Sequence, residues 1–255
     1  MSAPTLFCEK HGEYAARSIA IGKLVIRPSK CPKCVAEEDE REHRERVAKE
    51  TRSRQERIER QLKQAGIPKG FLGRTFDSYC AEGTGQQKAL ATARRFAEGF
   101  DEYAQKGTML ALCGGLGTGK THLAIAIAQH VSETAHTVMY VTAMDMVTKL
   151  RDAMRPDSPM GPGATLDMLG AIDLLVIDEI GVQSATDDVK THLFNVFDRR
   201  YRDARPTVLL SNLPAAELGE YLGERIADRL RERAAFIACD WESYRRQARD
   251  IGGLL

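Results

Sequence analysis

The run Gly114-Gly115-Leu116-Gly117-Thr118-Gly119-Lys120-Thr121 restricts this chain more than any other stretch. It fits the pattern G-x-x-x-x-G-K-S/T. An apolar run, Met109–Cys113, precedes it, and a helix-forming run from Thr121 to Val131 follows. Glycines let a backbone fold around phosphate and turn its N–H groups inward. A helix that begins at the lysine adds the positive end of its dipole. Lys120 can then reach β- and γ-phosphates, and Thr121 can ligate Mg²⁺. The alternative is a chance glycine-rich turn; the strand and helix flanks favour a nucleotide cradle.

Leu174-Leu175-Val176-Ile177-Asp178-Glu179 supplies the second half of such a site. Four apolar residues make a buried strand that delivers two acids at its carboxyl end, the edge where open α/β sheets bind ligands. Asp178 would hold Mg²⁺, and Glu179 would orient or deprotonate the attacking water. Together the two halves point to triphosphate hydrolysis. Asn212 follows the next apolar run, Val208-Leu209-Leu210. If that strand lies beside the other two, the Asn212 amide faces the γ-phosphate; otherwise it is a turn former before Leu213-Pro214. Arg225, Arg229 and Arg233 recur every four residues and share one helix face. They read either as a solvated charged face or as the source of an arginine finger, which could serve a neighbouring subunit's site. Arg245 is a further candidate.

Around these motifs, apolar runs alternate with helix-forming stretches: Thr108–Cys113, Thr137–Val141, Asp173–Ile177, Thr207–Leu210 and Phe236–Cys239 against Thr121–Val131, Asp187–Arg202 and Arg225–Arg233. This alternation predicts an α/β fold with a parallel central sheet flanked by helices over 67–255. Arg155–Gly163, rich in Pro and Gly, is expected to be a mobile loop.

Residues 37–66 form a charged segment. It holds nine acids, from Glu37 to Glu59, and nine bases, and it has no Pro or Gly before Gly66. A solvated linker helix is favoured over a partner-binding arm. The acids at its start suit a helix N-terminus. Val47, Ile58 and Leu62 are too few for a core-facing stripe.

Residues 1–36 carry Cys8-x-x-His11 and Cys31-x-x-Cys34. Two-residue spacing lets both members of a pair face one ion from a tight turn, and three Cys with one His select Zn²⁺. Free thiols with a surface His are the alternative. With so few apolar residues, a structural zinc is the better source of order. Cys80, Cys113 and Cys239 lack paired spacing and are expected in the core. His43, His122, His130, His136 and His192 are expected as ordinary surface or helix residues.

A net charge of +1 excludes a histone-like binder, and no stretch approaches the ~18 apolar residues of a transmembrane helix. Residues 1–10 lack signal-peptide character, so a cytoplasmic protein with reduced thiols is expected.

The Lys120 loop, Asp178-Glu179-Ile180-Gly181-Val182-Gln183, Leu210-Ser211-Asn212-Leu213, Gly223-Glu224-Arg225 with Asp228-Arg229, and Trp241-Glu242-Ser243-Tyr244-Arg245 occur in this order. The set resembles the DnaC-type loaders of bacterial replicative helicases and their phage-encoded relatives, over roughly Phe71 to Arg245. That resemblance implies an AAA+ ATPase fold with ATP as ligand. It also implies Asn212 as sensor 1, Arg229 as an arginine finger acting in trans, and Arg245 as a sensor-2-like arginine. It further implies a homo-oligomer in the presence of ATP, binding of single-stranded DNA through a helical element within roughly Met144–Gly170, and delivery of a DnaB-type hexameric helicase. The family's N-terminal module binds the helicase; here that place holds the two ligand pairs. The competing readings are a transposition helper ATPase of the IstB type and a zinc adaptor that binds nucleotide without turnover. Intact Lys120, Asp178 and Glu179 argue against the adaptor.

Overall fold

From Met109 onward, strands and helices alternate because apolar runs of five to seven residues are separated by longer amphipathic ones. The computed structural model describes residues 5–15, 19–21, 24–26, 30–182 and 186–244. The chain divides into two compact units, Met1–Arg57 and Ile58–Leu255.

In the first unit, β1 (Thr5–Cys8) pairs antiparallel with β2 (Gly12–Ala15), placing Cys8 opposite Gly12. Strands β3 (Ile19–Ile21) and β4 (Leu24–Ile26) make a second antiparallel pair. Helix α1 runs from Pro32 to Gln64. Proline suits the first turn of a helix, where its missing N–H costs nothing. This start is earlier than the charge pattern implied, and no acid falls in the first turn.

The second unit contains the end of α1 and then α2 (Thr84–Glu98), α3 (Phe100–Gln105), β5 (Met109–Gly114), α4 (Lys120–Glu133), β6 (Val138–Thr142), α5 (Ala143–Asp152), α6 (Pro162–Ala171) and β7 (Leu174–Ile180). It continues with α7 (Asp187–Arg202), β8 (Thr207–Ser211), α8 (Ala215–Leu222), α9 (Glu224–Arg233) and β9 (Ala234–Cys239). The five strands β5 to β9 form one parallel sheet in the order β6-β7-β8-β5-β9. Both faces are covered, so the strands are apolar along their length instead of alternating with polar residues. Leu110, Leu112, Val176, Val208 and Leu210 pack with α2, α4 and the end of α1. Met109, Ala111, Leu175, Ile177 and Leu209 pack with α5, α7, α8 and α9. The predicted α/β architecture is therefore observed.

Several local expectations differ. Ile58 and Leu62 are only 5% and 1% exposed and join the core cluster of the first face, although they are too sparse to make a stripe. A helix that packs only at its last turns needs few apolar residues. Cys80 is exposed, unlike the buried Cys113 and Cys239. His192 is a helix residue, as expected, on the buried face of α7 with Asp188 3.3 Å away. Proline at the first turn of α6 ends the expected 155–163 loop at its last two residues. Among the described residues, no helix is long and apolar enough to cross a membrane.

Candidate functional site

The phosphate loop joins β5 to α4. Gly114, Gly117 and Gly119 have φ of +132°, +76° and +90°, a region that L side chains rarely occupy. Space excludes side chains too. A Cβ on Gly114 would lie 2.2 Å from the Cys239 carbonyl oxygen, and one on Gly119 would lie 2.7 Å from Tyr79 Cε2. Lys120 is 7% exposed, and its Nζ donates to the carbonyls of Gly114 (2.7 Å) and Gly115 (2.6 Å) within the loop. Its ammonium thus sits among loop carbonyls at the amino end of α4, where charge-assisted hydrogen bonds suit an anion's counter-charge. The outer wall comes from distant sequence. Trp241 Nε1 donates to Thr118 O (2.9 Å), the Tyr244 backbone N donates to Gly117 O (3.0 Å), and Tyr79 Oη donates to Thr118 O (3.4 Å).

The acids approach from β7. Asp178 is 7% exposed, and its Oδ2 accepts from Thr121 Oγ1 (3.0 Å) and Tyr140 Oη (2.7 Å). Its Oδ1 accepts from the Glu179 backbone N (2.6 Å). Burial, and next the charge of Asp178, push the Tyr140 phenol far above its ordinary value, so it remains a donor. Glu179 is exposed and has φ +59°, a left-handed backbone for a residue with a Cβ. It lies where the β7–β8 register shifts between Ile177 and Ile180. Such a bulge re-aims a side chain and stores local strain. Ser211 Oγ secures it, donating to Ile180 O (2.7 Å) and accepting from Leu213 N (3.1 Å).

Strand β8 lies between β5 and β7, which is the arrangement that brings Asn212 to the phosphate loop. Asn212, Lys120, Thr121, Asp178 and Glu179 line one cleft of about 1100 Å³. His122, read from sequence as ordinary, contacts Thr75 O (2.8 Å) and Ser78 Oγ (3.2 Å), and burial holds its pKa below the usual imidazole value. The Gly-lined loop, the buried lysine and the carboxylate beside Thr121 fit a magnesium-bound polyphosphate. Leu116, Gly117, Thr118 and Gly119 line the same cleft.

Arg229 lies outside this cleft, on α9. It pairs with Asp198, and its guanidinium lies over the rings of Tyr201 (4.8 Å) and Phe194 (5.3 Å). Arg225 lies over Phe194 (5.8 Å) and Arg233 over Tyr201 (4.1 Å), so the three arginines do share a face. Arg245 and Gln183 lie outside the described residues.

The first unit holds a separate constellation. The ligand atoms of Cys8, His11, Cys31 and Cys34 all lie within 4.8 Å of one another. Cys8 Sγ is 3.5 Å from Cys34 Sγ, and His11 Nδ1 is 3.3 Å from Cys34 Sγ, 3.7 Å from Cys31 Sγ and 3.8 Å from Cys8 Sγ. A tetrahedral zinc with ordinary bond lengths would have edges of roughly 3.5–3.8 Å, so this set fits one. Hydrogen bonds from the His11 and Lys10 backbone lower the Cys8 thiol to about 6, while Cys34, hydrogen-bonded to Cys8, is pushed up to about 11. His11 Nε2 contacts Glu37 Oε1 at 3.0 Å, the outer carboxylate that would orient a ligating imidazole. Gly12, φ +76°, makes the turn after His11.

Sheet order, loop and acids together define a P-loop nucleotide-binding α/β protein of the AAA+ type. Residues 39–251 match the profile of the family described as IstB-like ATP binding protein, and the chain belongs to that family. It is 34% identical over 200 residues to the replicative helicase loader DnaC of Escherichia coli (strain K12), covering 78% of this chain and 80% of that one. It is 33% identical over 194 residues to the replicative helicase loader DnaC of Buchnera aphidicola subsp. Schizaphis graminum, covering 76% and 78%. The crystal structure of the DnaC helicase loader has the same fold, with a TM-score of 0.61 at 23% identity, covering 67% of this chain and 99% of that one. The resemblance to DnaC-type proteins is thus borne out. Cys8 to Cys34 precede the residues matched by the family.

Proposed function

We propose that this chain is an ATPase that loads a DnaB-type hexameric replicative helicase onto single-stranded DNA. The observation that carries the reading is the convergence of Lys120, Thr121, Asp178, Glu179 and Asn212 on one cleft. The 34% identity to a replicative helicase loader over 200 residues supports the biological role.

Backbone N–H groups of Gly114 to Thr121 and the Lys120 ammonium hold the phosphates. Thr121 and Asp178 would hold magnesium, which when bound supplies positive charge beside the phosphate oxygens. Glu179, exposed and turned by the β7 bulge, orients the attacking water and takes its proton. Asn212 positions that water and senses the terminal phosphate. Arg229 acts as an arginine finger toward a neighbouring copy in an ATP-dependent homo-oligomer, with its pairing to Asp198 and stacking on Tyr201 fixing its direction. Arg245 is proposed as the sensor-2-like arginine. ATP closes subunits around the helicase, and hydrolysis releases it.

The chain is organised as a zinc module over 1–36, a charged helical linker or arm over 37–66 and an AAA+ domain over 67–255. Cys8, His11, Cys31 and Cys34 would hold a structural zinc, because four protein ligands leave no open position for chemistry. The protein acts in the cytoplasm.

The test is capture by a purified DnaB-type helicase with ATP, set against capture by a transposase, the partner in an IstB-type reading. Retention of helicase by wild type but not by Lys120→Ala, which should lose nucleotide binding, is the expected result. Capture of the transposase alone would replace the loader reading.

A further inference from the structure

We propose that Tyr140 is a positioning residue of the nucleotide site, its hydroxyl fixing the Asp178 carboxylate in the orientation that meets the divalent cation. The proposal rests on the reading of Asp178 as a magnesium ligand.

Asp178 receives three hydrogen bonds, from Thr121 Oγ1 (3.0 Å), Tyr140 Oη (2.7 Å) and Glu179 N (2.6 Å). The backbone donor holds Oδ1, and the two hydroxyls hold Oδ2. A carboxylate gripped at both oxygens has one preferred plane, which is how an outer partner orients a metal ligand. Thr121 is itself one of the proposed metal ligands. Tyr140 carries no such second task, so it is the side chain dedicated to holding Oδ2.

The β6–β7 register does not predict this contact. Thr142 pairs directly with Asp178, whereas Tyr140 pairs with Val176. Thr142 is already engaged, its hydroxyl accepting from Asp145 N (3.1 Å) to cap α5. The longer phenol reaches forward from two residues earlier. Tyr140 is also pinned along its main chain. Its N–H donates to Ala65 O (2.7 Å), and its carbonyl oxygen lies 2.8 Å from where a Cβ on Gly66 would be. A side chain anchored at its backbone and buried around its ring holds its partner more tightly than a free rotor.

The competing explanation is that a buried tyrosine hydroxyl needs any acceptor. Under that view, removing the hydroxyl changes stability alone. Tyr140→Phe keeps the ring and separates the two. Binding of a fluorescent ATP analogue to the full chain is measured across a Mg²⁺ series and in EDTA. The melting temperature without nucleotide is recorded in parallel, as is its shift with ADP with and without Mg²⁺. Loss of one hydrogen bond predicts that Tyr140→Phe needs about three- to tenfold more Mg²⁺ for half-maximal tight binding, with unchanged affinity in EDTA. A Mg²⁺ curve that overlays the wild type, or an equal weakening with and without Mg²⁺, overturns the positioning role. Asp178→Asn should abolish the Mg²⁺ dependence in the same assay. If Asp178→Asn retains it, the metal-ligand reading itself falls, and the Tyr140 proposal falls with it.

Discussion

The two units reach order by different means. In Ile58–Leu255, both faces of a five-stranded sheet are sealed by apolar side chains, many of them fully buried. In Met1–Arg57, the only buried apolar residue among the described side chains is Cys31, itself one of the four candidate ligands. Hydrophobic burial at ~25 cal/mol per Å² organises the first kind of unit, whereas the described side chains of the second supply little of it. The charged helix belongs to both; among its described side chains after Cys34, Ile58 and Leu62 are the buried ones. The contrast shows that charge mixing describes most of a helix without fixing what its last turns do.

The strongest test of this contrast is metal removal. A structural zinc contributes about 10–16 kcal/mol of binding free energy. A chelator should therefore unfold the first unit, seen as loss of amide protection before residue 57, while the second unit keeps its protection. Cys31→Ser should release the ion in the same way. Loss of protection in both units together would break the contrast. Arg229→Ala probes the second unit's chemistry alone. It should leave metal content and ATP binding unchanged and lower turnover by about 10³-fold, the lower range for an arginine finger. Mixing it with Glu179→Gln protein should restore some activity if the finger acts in trans, and no recovery at any ratio counts against that arrangement. A smaller effect is expected from Leu62→Ala, which should cost about 2–5 kcal/mol of stability in the second unit and leave zinc content unchanged. A loss near zero would return all of α1 to the solvated linker expected from its composition.

The parts of the site visible in the sequence are those whose chemistry is local. The phosphate loop and the Asp178–Glu179 pair are contiguous, and the apolar runs beside them mark their strands. The cysteine and histidine pairs were equally visible, because ligand spacing of two residues is a property of a turn. Contacts made across the fold were not. Tyr140 reaches Asp178 from a neighbouring strand, and Trp241 reaches Thr118 from beyond β9, with no spacing rule to announce either. The left-handed backbone of Glu179 depends on a bulge held by Ser211, which only strand pairing reveals. Cys80 is exposed, against the core position expected for it, because an isolated cysteine carries no positional signal and this one lies in a loop.

In the proposed site one triphosphate is held by the Gly114–Thr121 loop while Glu179, from another strand, drives its hydrolysis. Single-turnover ATP hydrolysis by Glu179→Gln, measured beside its ATP affinity, tests this most directly. Wild-type binding is expected, with hydrolysis reduced by about 10²–10⁴-fold, the usual contribution of a general base. Hydrolysis at the wild-type rate would contradict it.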